Sequence, residues 1–131
     1  PSAGAHTSGY GQRYSQCGPS YCASGFHRGV DMAAGCGAGI YAASAGTVTM
    51  AWAYSGYGNY VRIEHGGGIA TSYGHMSQIF VRAGQQVSAG QTLGAEGKTG
   101  NSFGCHVHFE VYVNGAAIDP QPFMRQRGIS V

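Results

Sequence analysis

Glycine sets the strongest limit on what this chain can become. It occupies 24 of 131 positions, roughly 18% against about 7% in an average domain. No G-X-Y period accompanies it, which excludes a collagen helix. Between the glycines lie short runs rich in β-branched and aromatic residues: IYAASAGTVTMAWAYSGYG, NYVRIEHGGG, IATSYGHM, IFVRAGQQVSAGQTLGAEG and CHVHFEVYVNG. Such runs, cut by turn residues, read as strands of roughly four to eight residues. No stretch carries a 3.6-residue apolar period over a dozen positions. The expectation is an all-β fold of antiparallel sheets with long connecting loops and little helix. One short helical turn is expected near Phe123 to Gln126, and residues 1–25 read as loops with at most one short strand. With no internal repeat or linker, residues 1–131 read as a single domain.

Charged side chains make up 9% of the chain, with a formal net charge of +2. That scarcity argues against a salt-bridged coiled coil. The basic residues Arg13, Arg28, Arg62, Arg82, Lys98, Arg125 and Arg127 are scattered and form no stripe. Phosphate-backbone binding draws on clustered positive charge, so no nucleic-acid partner is expected. No apolar run reaches the ~18 residues that a membrane-spanning helix needs. Pro1 follows no charged-then-apolar leader, and the expectation is a processed secreted protein or an excised domain.

Six histidines outnumber five acidic residues. On a strand, side chains alternate between faces. In CHVHFEVYV, Cys105, Val107, Phe109, Val111 and Val113 therefore share one face, and His106, His108, Glu110 and Tyr112 share the other. Two imidazoles two residues apart converge on a strand and diverge on a helix. His27 and Asp31 are four residues apart, an even spacing that places both on one face of an extended segment, with Gly29 permitting close backbone approach. His75 falls in IATSYGHM with Thr71 and Tyr73 on its face. A catalytic zinc takes three His or carboxylate ligands and leaves a position for water. On residue chemistry alone, His27/Asp31/His108, a three-His set with His106 and His108, and other combinations stand side by side. Glu64 and Glu110 read as solvent-facing, with orientation of ligand rings as the other possibility. His65 reads as structural, and His6 as solvated in an irregular tail.

HRGVD, SYGHMS and HVHFEV, in this order, resemble the three signatures of the lysostaphin-type zinc metallopeptidases. The similarity continues through GCGAGIYAASAGTV, GYGNYVRIEHGGG, VRAGQQVSAGQTLGAEGKTGNSFG and AIDP, over about residues 25 to 121. It implies a lysostaphin-like peptidase fold. It also implies zinc held by His27, Asp31 and His108, with His75 and His106 sharing the general-base and oxyanion-stabilising roles. Family members place a tyrosine in the groove to stabilise the tetrahedral intermediate, and Tyr21 is the candidate for it. The implied activity is that of a secreted, monomeric endopeptidase, cutting peptidoglycan cross-links or interpeptide bridges through a metal-activated water. The alternative is a silent family member that binds peptidoglycan or activates another cell-wall hydrolase.

Four cysteines in a chain with a single lysine point to disulfides in an oxidising compartment, and their spacings leave three connectivities open. Within the layout implied by the resemblance, Cys36–Cys105 would clamp the two ligand-bearing segments, and Cys17–Cys22 would close a short loop. Cys105 as a metal ligand is disfavoured, since it lies on the strand face opposite both histidines.

Overall fold

A computed structural model describes residues 1–12, 26–100, 102 and 104–131. Twelve strands follow one another in the described chain: β1 (Ala5–Ser8), β2 (Gly11–Gln12), β3 (Phe26–His27), β4 (Val30–Ala33), β5 (Gly39–Tyr41), β6 (Gly46–Ala53), β7 (Asn59–Gly66), β8 (Ile69–Ile79), β9 (Gln86–Val87), β10 (Thr92–Glu96), β11 (Val107–Val113) and β12 (Ala116–Ile118). One helix, α1 (Pro120–Arg125), closes the chain. The strands β1-β4-β11-β8-β7-β6-β9 lie side by side in one sheet, to which β12 adds beside β11, β10 beside β8 and β5 beside β10. Every pairing is antiparallel, as the glycine-cut pattern predicts. β2 and β3 form a separate two-stranded ribbon.

Two hairpins show why particular glycines stand where they do. Gly67 and Gly68, at φ +63° and +79°, join β7 to β8. Asn114 and Gly115, at φ +52° and +85°, join β11 to β12. A two-residue turn with both residues left-handed matches the twist of the flanking strands, and glycine and asparagine tolerate it best. The two turns also touch, the Asn114 amide donating to the Gly68 carbonyl at 2.8 Å.

Alternation along β11 divides the molecule. Val107, Phe109 and Val111 are fully buried against Val30, Met32, Val61, Ile63 and Tyr73 in the core, while His108 and Glu110 face the other way. The expected helical turn is present but starts earlier, at Pro120. Asp119 caps it by accepting the Gln121 amide at 3.1 Å, and a proline in the first turn needs no amide partner. Met124 then seals the core edge.

The segment read as loop carries two strands among its described residues, β1 and β2, and exposed His6 sits on β1, paired with Met32 of β4, rather than in an irregular tail. Cys36 and Cys105 are disulfide-bonded across 69 residues. In the chain-entropy treatment, closing a loop of ~70 residues constrains the unfolded chain by on the order of 4 kcal/mol. Replacing both cysteines by alanine is therefore expected to lower the urea midpoint markedly, which equilibrium unfolding would measure. Cys17, Cys22 and Tyr21 lie outside the described residues.

Candidate metal centre

β4 and β11 are neighbours, with His108 directly opposite Asp31. His27 enters from β3. His27 and Asp31 do not lie on the one extended strand that their even spacing predicts, because a bend at Arg28–Gly29 separates β3 from β4. The bend turns the two side chains toward each other across a passage only glycine fits, because a Cβ on Gly29 would lie 2.2 Å from the Phe109 carbonyl oxygen.

Three atoms meet there. His27 Nε2 lies 3.2 Å from Asp31 Oδ1 and 3.0 Å from His108 Nδ1, and His108 Nδ1 lies 3.0 Å from Asp31 Oδ1. All three residues are at least nine-tenths buried. The outer ring nitrogens are already committed. His27 Nδ1–H donates to the Gly9 carbonyl at 2.7 Å, and His108 Nε2–H donates to Glu110 Oε2 at 2.9 Å. With those protons placed outward, neutral rings turn two lone pairs inward against a carboxylate oxygen. Three acceptors so close repel one another unless positive charge sits among them. Ligands about 2.0–2.1 Å from a tetrahedral zinc stand about 3.3 Å apart, so a triangle of this size fits a first-row cation after a small expansion. His27, Asp31 and His108 form a metal-capable group of the described residues, and His106 is not part of it.

Without a metal, a proton takes that place. Burial disfavours a charged His108 ring, yet hydrogen bonds to Asp31 and Glu110 outweigh it and move its pKa up, so the metal-free ring is protonated and donates Nδ1–H to Asp31. Burial likewise opposes the Asp31 carboxylate, and the bonds from His108 and His27 overcome it, holding the carboxyl far below its ordinary range. The pocket asks for a cation.

Glu110 is buried completely, not solvent-facing as the sequence reading has it. Besides His108 it accepts from Ser72 Oγ at 3.0 Å, Tyr57 OH at 2.9 Å and Tyr112 OH at 2.6 Å. Burial opposes its ionisation, but the bond and charge of His108 and the tyrosine hydroxyls keep its pKa low. Burial and the neighbouring carboxylate push both tyrosines up, so they remain donors. A carboxylate behind a ligating imidazole fixes its tautomer and strengthens its lone pair. Glu110→Gln is expected to weaken zinc affinity about 10- to 100-fold, measured by competition with a chelator. Glu64, by contrast, is exposed beside Arg62. His65 is structural as expected, bridging the Ala45 carbonyl and Thr71 Oγ1.

His106 and His75 border the triangle. His106 Nδ1–H donates to the Gly104 carbonyl at 2.9 Å, and its Nε2 stands 3.4 Å from Asp31 Oδ1. The His75 ring centre is 4.7 Å from that of His106 and 6.0 Å from that of His108. Simple alternation puts His75 on the face of Thr71 and Tyr73, but Tyr73 is buried in the core. The β7–β8 register slips between Asn59 and Val61, and His75 takes φ +63°. That left-handed residue reverses the alternation and brings the ring to the metal-site face. Burial pushes its pKa down to about 4, the Thr99 carbonyl opposing and the neighbouring imidazoles adding to the effect.

Residues 25–120 match peptidase family M23. The chain belongs to that family. Its structure superposes on the catalytic domain of lysostaphin from Staphylococcus simulans with a TM-score of 0.81 and 34% identity, covering 93% of this chain and 92% of that one. A zinc-containing peptidase from Vibrio cholerae gives a TM-score of 0.77 at 35% identity, over 88% of this chain and 35% of that one. Peptidoglycan DD-endopeptidase ShyA of Vibrio cholerae is 41% identical over 93 residues, 71% of this chain but 22% of its own length. The chain thus spans about a fifth of the curated relative's length. The M23 fold expected from the three motifs is present, and the zinc associated with it meets a donor set that suits it.

Glu110 takes the ring-orienting role that the sequence offered only as its second possibility, and its place on the His106/His108 strand face was the signal for it. The Gly9 carbonyl was missed in the sequence, because a backbone acceptor carries no side-chain signature.

Proposed function

We propose that this chain is the catalytic domain of a zinc endopeptidase that hydrolyses peptide bonds in peptidoglycan cross-links or bridges, acting as a monomer outside the cytoplasm. The observation that carries the reading is the triangle of His27 Nε2, Asp31 Oδ1 and His108 Nδ1, with two further imidazoles at its edge. His27, Asp31 and His108 hold the metal. Zinc supplies Lewis-acid chemistry there, polarising a scissile carbonyl and allowing water to ionise near neutral pH. His106, hydrogen-bonded through Nδ1 to Gly104, keeps Nε2 for proton exchange beside the metal ligands. His75, neutral at physiological pH, offers a second lone pair or, after proton uptake, a donor to the developing oxyanion. Tyr21 is assigned to that oxyanion by family resemblance. Relatives described as peptidoglycan DD-endopeptidases support the substrate class.

The test is mass spectrometry of fragments released from purified walls carrying different cross-links and bridges, using the zinc-loaded chain. Release of peptides with one newly formed amine per cut supports the reading and identifies the bond. A zinc-loaded chain that pellets with walls yet leaves every chemotype intact overturns it in favour of a silent binder.

A further inference from the structure

We propose that Thr99 is the positioning residue for His75, an inference that rests on the catalytic role given to His75 above. The loop holding Thr99 touches both strands of the register slip that turns His75 inward. Thr99 Oγ1 donates to the Met76 carbonyl of β8 at 2.7 Å and accepts the Asn59 amide of β7 at 3.1 Å. The Thr99 carbonyl accepts His75 Nδ1–H at 2.7 Å. One residue thus ties the two strands together where their pairing is irregular and also anchors the displaced ring.

The arrangement needs help, and the neighbours supply it. A non-glycine residue at φ +63° is a strained conformation that persists only where its surroundings over-determine it. Gly58 and Gly100 make room for the contact. A Cβ on Gly58 would lie 2.4 Å from the Thr99 carbonyl carbon, and one on Gly100 would lie 2.4 Å from the Gly58 nitrogen. Thr99 is itself β-branched, and that restricts its rotamers. Its hydroxyl therefore sets where its carbonyl sits, and the carbonyl sets which ring nitrogen of His75 carries the proton. With the proton on Nδ1, Nε2 keeps its lone pair. A ring without this acceptor exchanges tautomers and rotates, and the proton-transfer nitrogen is no longer defined.

Thr99→Val keeps the shape and removes the hydroxyl, whereas Thr99→Ser keeps the hydroxyl. In the zinc-loaded protein, Thr99→Val is expected to lower kcat about 10- to 100-fold, as misplacement of a reacting group does, with KM within about twofold and zinc content unchanged. Thr99→Ser is expected to recover kcat to within about threefold of wild type. Long-range nitrogen–proton NMR should report the Nδ1–H tautomer for His75 in wild type and Thr99→Ser, and a mixture in Thr99→Val. The inference is overturned if Thr99→Val lowers the melting temperature but leaves kcat and tautomer as in wild type. It is equally overturned if wild-type His75 carries its proton on Nε2, a measurement that stands even where Thr99→Val does not fold. A wild-type chain that cuts no wall overturns the proposed function separately, and the tautomer comparison then decides the role of Thr99.

Discussion

Asp31→Ala and His108→Ala are expected to purify without zinc, to melt at a lower temperature than the loaded wild type, and to retain less than about one-thousandth of its wall-cleaving activity. The activity loss follows from several kcal/mol of charge stabilisation supplied by the metal, at about 1.4 kcal/mol per tenfold in rate. The zinc loss follows from the triangle itself. Removing Asp31 deletes the only carboxylate among the three donors and leaves His27 and His108 facing each other at 3.0 Å. Removing His108 also strands Glu110, a fully buried carboxylate whose charged partner is that ring. For Asp31→Ala the stability loss should be larger in the presence of zinc, since binding free energy is then also withheld from folding. His108→Ala should be destabilised in metal-free protein as well, because buried Glu110 loses its cationic partner and keeps only the hydroxyls of Ser72, Tyr57 and Tyr112. Elemental analysis, thermal melts with and without a chelator, and a turbidity assay check all three expectations. Acid should mimic these variants: both inward nitrogens must be unprotonated to ligate, so zinc is expected to leave below about pH 5 and to stay at neutral pH.

His106→Ala and His75→Ala should behave oppositely in metal content. Each is expected to keep about one equivalent of zinc, because neither belongs to the triangle, while kcat falls about 100-fold or more, as loss of a positioned acid–base group does. Elemental analysis beside kinetics separates the two groups of variants. An empty site in His106→Ala would instead install a three-His ligand set and unseat Asp31 or His27. His75 carries a second, independent expectation. Its pKa is about 4 when folded, against about 6.5 in an unfolded chain. Between those values the unfolded state binds the proton and the folded state does not, so stability rises with pH across the window and falls on acidification. In metal-free protein, the wild type should therefore show a steeper loss from about pH 6.5 toward 4 than His75→Ala, measured by urea unfolding at several pH values.

Much of this molecule was legible before any coordinates. The antiparallel all-β architecture follows from glycine-cut strands, because a strand half-buried on a sheet and a turn needing left-handed backbone each leave local signatures: VNG at the β11–β12 hairpin and GGG at β7–β8. The two faces of β11 were legible from alternation alone, and so was the close approach at Gly29. The ordered motifs identified the family and, with it, the four histidines and one carboxylate that the structure gathers.

What failed was local inference where the backbone departs from regularity. His75 was placed on the face of Thr71 and Tyr73 because alternation assumes an unbroken strand, and a register slip with one left-handed residue is a product of how β7, β8 and the Thr99 loop pack together. His27 and Asp31 were read as one strand because even spacing does not reveal a bend. Their meeting depends on β3 leaving for a different ribbon while β4 joins the main sheet. Glu110 was read as solvated because glutamate usually is, and only the convergence of Ser72, Tyr57 and Tyr112 from three strands and turns makes burial of its charge tolerable. By itself the sequence determined the strand content, the turn positions and which residue types could ligate a metal, since those depend on neighbours a few positions away. The tertiary structure alone decided which atoms face inward, because ring tautomers and lone-pair directions are set by acceptors such as the Gly9, Thr99 and Gly104 carbonyls, which come from segments distant in the chain or, as with Gly104, from a turn whose shape packing dictates.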